Sequence, residues 1–299
     1  MKTALVTGAS RGFGRILSEE LARQGFLTYA AMRETAGHNK PVADELESIA
    51  KRNHLPLRVV DIDVLSNESV NSGVASVLTQ SGAIDIVVNN AGRGAHGVLE
   101  SFTIEQLAEE IDLNVLSMHR VNRAVLPSMR LAHSGLLIHI SSIIGRTVAP
   151  LRGVYQIAKH AVEALAETYR YELSPLGIDS VIIEPGPFET GAHSRVAIPN
   201  DTYIQEQYGE LSKGRELAMA AFERMFSDPD IPTSPSLFVD TVIKVIKTPL
   251  GQRPLRTTVG IDLGVANFNT VAQEFNHQTL VQLGLDRFEK VDPSSFTLD

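Results

Sequence analysis

Apolar residues along the 299-residue chain fall into short continuous runs that alternate with stretches of helical periodicity. Thr3 to Thr7, Phe26 to Met32, Leu57 to Val64, Ile84 to Asn89, Leu136 to Ser142, Asp179 to Glu184 and Thr257 to Gly260 read as strands. Most are apolar throughout, as strands buried on both faces are. Between them helical spacing links Ile16, Leu17, Leu21 and Ala22, then Val42, Leu46 and Ile49, then Val70, Val74, Val77 and Leu78. Thr103-Ile-Glu-Gln106 is a capping box that opens a long helix to Leu131, with an interruption expected near Pro127. Another helix is predicted from Tyr155 to near Pro175, and a further one from Phe238 to Val245.

Strict alternation of strand and helix predicts an α/β chain: a doubly wound, Rossmann-type parallel sheet with helices on both faces, in one domain over residues 1–299. The alternation lapses from 189 to 235. There Gly214 to Phe226 carries two apolar stripes, Leu217, Ala221 and Met225 beside Met219, Phe222 and Phe226. Its place beside the carboxyl edge of the sheet suggests a substrate lid, although such stripes also suit an ordinary packed helix. Gly264 to Leu285 has a mixed helical pattern, and the acidic end, 286–299, is expected to fray.

Composition narrows the function. A net charge of −8 with no basic block argues against a nucleic-acid surface. The absence of cysteine removes thiolate chemistry and cysteine-ligated metal. Nine histidines include no His-x-x-x-His pair, so no metal is expected. No apolar run approaches the ~20 residues of a membrane span, and Met1 leads directly into a strand, so a cytoplasmic protein is expected.

The first strand runs into Gly8-Ala-Ser10-Arg11-Gly12-Phe13-Gly14, a glycine turn opening a helix. Such a turn brings backbone amides close to a pyrophosphate. About twenty residues on, an acid would hold the ribose hydroxyl of NAD; Met32 and Arg33 stand there instead. Arg33 and Arg11 can converge on a 2′-phosphate, which favours NADP(H), while the adjacent Glu34 keeps a ribose contact open. Asp63, followed by Val64, is placed for an adenine amino group.

Tyr155 and Lys159 stand four apart, on one face of a predicted helix. A unit charge at about 4 Å and an effective dielectric near 20 is worth roughly 4 kcal/mol, enough to bring a phenol from about 10 towards about 7. Ser142 closes the apolar run before them, at the carboxyl end of a strand. A surface ion contact would give the same Tyr/Lys spacing, and a helix-face amide the same Asn114, so other motifs must decide.

Taken in order, Gly8-x-x-x-Gly12-x-Gly14, Asp63-Val64, Asn89-Asn90-Ala91-Gly92, Asn114, Ser142, Tyr155-x-x-x-Lys159 and Pro185-Gly186 resemble the short-chain dehydrogenase/reductase family over roughly residues 1–190. The Tyr171–Gly177 and Glu184–Phe188 neighbourhoods loosely resemble its steroid and retinol dehydrogenase branch. The resemblance implies that Tyr155 is the acid/base, that Lys159 lowers its pKa and holds the nicotinamide ribose, that Ser142 binds the reacting oxygen, and that Asn114 steadies a relay water. Asn90, Ala91 and Gly92 would line the adenosine side, and Pro185, Gly186, Phe188 and Thr190 the nicotinamide. A homodimer or homotetramer through the long helices is implied as well.

The expected reaction is hydride transfer between NADP(H) and a lipophilic ketone or secondary alcohol, a small-molecule substrate. Ile143, Val148, Phe188, Met219 and Phe222 suggest its apolar pocket, with polar contacts from His96, Arg152 and His193. The rival is a non-catalytic NADP-sensing protein on the same fold. Sugar-nucleotide epimerisation lacks an evident extra domain.

Overall fold

The computed structural model describes residues 1–191, 195–228 and 230–292. Seven parallel strands form one sheet in the order β3-β2-β1-β4-β5-β6-β7. They are β1 (Thr3–Thr7), β2 (Leu27–Met32), β3 (Leu57–Asp61), β4 (Ile86–Asn89), β5 (Gly135–Ile140), β6 (Ile178–Pro185) and β7 (Arg256–Val259). Each strand predicted from the sequence is present, and the α/β, Rossmann-type single domain is the fold.

Alternate residues of the central strands feed two cores, which is why those strands are largely apolar, while the edge strands β3 and β7 carry polar positions. Ala4, Val6, Ile86, Val88, Leu136 and Ile138 pack against α1 (Gly12–Arg23) and α9 (Pro235–Lys247) through Leu17, Leu21, Phe238 and Val242. Leu5, Val87 and Leu137 face the other way. They meet α3 (Asn67–Ser81), α5 (Ser117–Ala132) and α6 (Gly153–Leu173) through Val74, Val125 and Tyr169. Burying such a side chain fully contributes about 1.5–3 kcal/mol, so both layers are held on the sheet. Helix α2 (Lys40–Asn53) covers β2 and the edge strand β3 through Leu46 and Ala50.

The chain leaves β1 for β2 on one side and returns at β4 on the other. Strand order reverses between β1 and β4, which opens a crevice at their carboxyl ends. Thr7 closes its floor: its hydroxyl accepts from the amides of Asn90 and Ala91 at 3.0 and 3.1 Å.

Two expectations change. The long helix does not break at Pro127, which lies inside α5. The irregularity falls earlier, as a π turn at Asp112–Leu116 between α4 (Ile104–Ile111), whose Thr103/Gln106 capping box is present, and α5. Nor does the chain fray from Asp286. Val291 is 3% exposed, His277 Nδ1 lies 2.6 Å from a Glu289 carboxylate oxygen, and Arg170 donates to the Glu289 carbonyl. These contacts tie the segment after α10 (Val265–Leu283) back to the body. Residues 293–299 of the predicted tail lie outside the described residues.

Candidate active site

β5 delivers Ser142 just past its carboxyl end, and the turn before α6 brings Tyr155 beside it. One helical turn on, Lys159 is buried and donates from Nζ to the Ile140 carbonyl at 2.7 Å. This bond fixes the ammonium under the end of β5, 5.5 Å from the centre of the Tyr155 ring. The Ser142 hydroxyl lies close enough to the Tyr155 phenol to favour its ionisation, and donates to the Pro185 carbonyl at 3.4 Å. Ser141 Oγ, buried, points elsewhere, against the space that a Cβ on Gly145 would fill.

Burial lowers the Lys159 pKa to about 8. Burial likewise raises the Tyr155 phenol above its ordinary value of 10.0. The groups that pull it down are Arg152, then Ser142, with Glu110 opposing. Lys159, expected to bring the phenol towards neutrality, is not among the groups that pull it down. Desolvation wins, and the leading favourable charge is a guanidinium.

Asn114 sits in the π turn, wholly buried. Its Nδ2 donates to the Glu110 carbonyl and carboxylate at 3.1 Å each, and its Oδ1 accepts from the Arg93 amide at 3.2 Å. Glu110, its pKa raised by burial, is paired with the Arg93 guanidinium. A Cβ on Gly92 would stand 2.6 Å from Asn114 Oδ1, so only glycine lets the β4 exit pass this amide. Sequence reasoning missed Glu110 and Arg93. The one available signal was the i, i+4 spacing of Glu110 and Asn114.

These groups line one wall of a cavity of about 1250 Å³. At its other end lie Gly8, Ser10, Arg11, Gly12 and Phe13, with Asp63 and Val64 beyond and Asn90 to Gly92 below. Gly8 and Gly12 have φ of +67° and +53°, where a side chain is strained. Gly14 is not on the cavity wall; its place is taken up by packing, since a Cβ there would meet the Gly8 carbonyl and Asn90 Nδ2 at 2.5 Å. Arg33 lines the cavity and is 56% exposed, 3.9 Å from Glu34. Glu34 itself is outside the lining; it adopts φ 54°, and its carbonyl accepts from Gly37 and Asn39. Asp63 Oδ1 is engaged by the Leu65 amide at 3.0 Å. Pro185, Gly186, Phe188 and Thr190 line the same cavity, with Phe13 edge-on to Phe188 at 5.3 Å.

On the outer side α8 (Gly214–Phe226) crosses the cavity with Leu217, Ala218, Ala221, Phe222 and Met225 facing inward. Met219 is not among them. Both stripes of this helix are apolar; with Gly214 passing close over Leu151, the first stripe and Phe222 of the second turn in. Val148 is also corrected: it is 81% exposed and lies off the cavity. Ile143, Phe188, Arg152 and Phe222 do line it. His96 sits one layer back, 2% exposed, with Nε2 at 2.6 Å from an Arg152 nitrogen. His193 lies outside the described residues.

Among the described residues no group of three His, Cys, Asp or Glu could hold a metal ion, and no helix is long and apolar enough to cross a membrane.

A parallel sheet with its glycine turn at the switch point, and a serine, tyrosine and lysine gathered beside it, define a Rossmann-type oxidoreductase. The short chain dehydrogenase family model matches residues 2–199, and the chain belongs to that family. It is 34% identical over 206 residues to a 3-ketodihydrosphingosine reductase of Bacteroides thetaiotaomicron, covering 69% of this chain and 71% of the relative. A short-chain dehydrogenase structure from Streptomyces avermitilis aligns with a TM-score of 0.73 at 27% identity, over 95% of this chain and 98% of the other. An alcohol dehydrogenase from Thermococcus sibiricus, solved with 5-hydroxy-NADP, aligns with a TM-score of 0.68 at 25% identity, over 87% and 96%.

Proposed function

We propose that the protein is an NADP(H)-dependent oxidoreductase that interconverts a lipophilic ketone and its secondary alcohol, with Tyr155 as general acid/base. The observation that carries this reading is the convergence of Ser142, Tyr155 and Lys159 on the cavity that the glycine turn opens.

The chain's residues fit a dinucleotide phosphate. The cradle is shaped by absent side chains: a Cβ on Gly8 would stand 2.8 Å from the Ala91 Cα, and one on Gly186 would fall on the Ile261 carbonyl oxygen. Arg11 and Arg33 border the far end, and Glu34, 3.9 Å from Arg33 in an exposed pair, does not line it. The ligand in the Thermococcus sibiricus structure is in keeping with this choice. When bound, the nicotinamide supplies or accepts the hydride.

The remaining chemistry belongs to the side chains. Tyr155, held protonated by burial, donates its phenolic proton to the carbonyl oxygen during reduction. Ser142 hydrogen-bonds the same oxygen and orients it. Lys159, anchored on Ile140, presents a positive charge that favours the phenolate left behind. Asn114, clamped by Glu110 and Arg93, keeps the π turn in place on the cavity wall. The inward stripe of α8 and Phe188 offer the apolar surface for the substrate's body. The likeness to a 3-ketodihydrosphingosine reductase is consistent with a ketone substrate.

A panel of ketones and alcohols followed by NADPH absorbance tests the reading. Turnover of an apolar ketone with NADPH is the expected result. Cofactor binding with no turnover on any carbonyl or alcohol would instead favour an NADP-sensing protein.

A further inference from the structure

Arg152 lines the substrate side of the cavity and faces no counter-charge among the described residues. Every acidic residue lining the cavity is otherwise engaged: Asp112 with Arg120, Glu109 with Arg93, and Asp63 with the Leu65 amide. Arg152 has no carboxylate partner. Its guanidinium lies between two rings, 5.7 Å from the centre of Tyr155 and 5.8 Å from that of Phe222. One terminal nitrogen meets His96 Nε2 at 2.6 Å. Because arginine only donates, Nε2 accepts and the imidazole is neutral. The Nε atom is buried without a hydrogen-bond partner.

A buried donor left unmatched costs on the order of a hydrogen bond or more, and a buried unpaired charge costs more still. The backbone nevertheless holds this side chain in place. Leu151 adopts φ 68°, a left-handed conformation unfavourable for a leucine, and its carbonyl accepts from the Gly97 amide at 2.9 Å. Pro150, Leu151 and Arg152 thereby form a rigid shelf at the start of α6, next to the phenol. Such an arrangement is suited to an acceptor that arrives with the substrate.

We infer that the substrate carries a carboxylate that pairs with Arg152, next to the carbonyl that meets Tyr155, and an apolar body that lies along α8. The substrate is thus an amphiphilic oxo acid or hydroxy acid. One guanidinium beside a neutral imidazole balances a single negative charge, whereas a phosphate monoester brings about 1.5–2 at neutral pH. Phe222 sits over the cation and bounds the apolar track that continues through Leu217, Ala221 and Met225. The inference rests on the oxidoreductase reading for its reaction but not for its binding.

The test separates the two. Octanoate, methyl octanoate and monooctyl phosphate are titrated calorimetrically into the protein with and without NADP⁺. Octanoate should bind at least about tenfold more tightly than the methyl ester, the return on one or two charge-assisted hydrogen bonds. The gap should shrink with added NaCl, collapse in Arg152→Met and persist in part in Arg152→Lys, which keeps the charge but not the fork. Equal binding of acid and ester by the unaltered protein overturns the inference, as does an undiminished gap in Arg152→Met. Tighter binding of monooctyl phosphate overturns the assignment of a carboxylate. If Arg152→Met does not fold, the acid/ester comparison in the unaltered protein still decides. Levulinate and methyl levulinate are then compared as substrates with NADPH: preference for the ester counts against the inference, while turnover of neither counts against the oxidoreductase reading and leaves the octanoate result to stand.

Discussion

Arg152 stands 5.7 Å from the centre of the Tyr155 ring and leads the groups that draw the phenol's pKa down against its burial. In the cofactor-free protein Tyr155 should therefore titrate above 10.0, and Arg152→Met should move it higher. Ultraviolet difference titration against Tyr155→Phe isolates the one phenol. A Tyr155 that titrates below 10.0 and is unmoved by Arg152→Met would show that Lys159, not Arg152, sets it.

Tyr155→Phe should abolish nearly all turnover while leaving NADPH affinity within a few-fold, because it removes a transition-state proton donor and little ground-state binding. Retention of more than about a tenth of the activity, a loss under ~1.4 kcal/mol, would exclude the tyrosine as principal acid. Lys159 adds a pH limb. Its pKa of about 8 means that the charge is present below that pH and lost above it. For the free enzyme kcat/KM for NADPH should fall as pH rises through about 8. Lys159→Arg, whose charge persists, should flatten the limb even if it lowers the rate.

Arg11 and Arg33 should make NADPH bind at least about tenfold more tightly than NADH, given charge-assisted contacts worth roughly 1.5–3 kcal/mol. Arg33→Ala should narrow the difference. Equal dissociation constants in the unaltered protein, measured by fluorescence titration, would remove the case for NADP.

Most of this architecture was legible because a parallel sheet leaves a strong trace: strands buried on both faces, such as Leu136 to Ile140, are apolar at nearly every position. The Tyr155/Lys159 pair was legible because both sit on one helix, where spacing fixes facing. Relations across the fold left no such trace. Arg152 and His96 are 56 residues apart and meet only through the tertiary structure. On α8 the two stripes are equally apolar, so Met219 and Leu217 could not be told apart until Gly214 was seen to seat the helix against Leu151. Val148 failed as a pocket residue because hydrophobicity in a loop says nothing of facing.

The last prediction concerns a buried carboxylate. Glu184, at the end of β6, is fully buried, with its carboxylate 2.6 Å from Asn269 Nδ2 on α10 and 3.9 Å from Arg256, which is bonded to Glu163 at 2.8 Å. Burial and then repulsion by Glu163 raise its pKa to about 8, so at neutral pH it holds a proton that the unfolded chain, at 4.5, does not. Between those values the native state binds more protons than the unfolded one, so this contribution is complete below pH 4.5 and is lost as pH rises through about 8. His139 acts in the opposite sense. Buried and neutral, with its pKa lowered from 6.5 to about 3 by burial, it contributes stability present above 6.5 and lost as pH falls. The two oppose each other from 4.5 to 6.5, and from 6.5 to about 8 Glu184 acts without that opposition. Above about 8 the Lys159 amine, lowered from 10.5, contributes stability that grows with pH. The melting temperature should therefore decline from pH 6.5 to about 8 and then turn upward. At ~1.4 kcal/mol per pH unit for one proton, the decline amounts to roughly 2 kcal/mol. Glu184→Gln, neutral at every pH, should level it, and Lys159→Met should remove the upturn. Calorimetric melting across that range decides the matter: a decline of undiminished slope in Glu184→Gln would exclude Glu184 as its source.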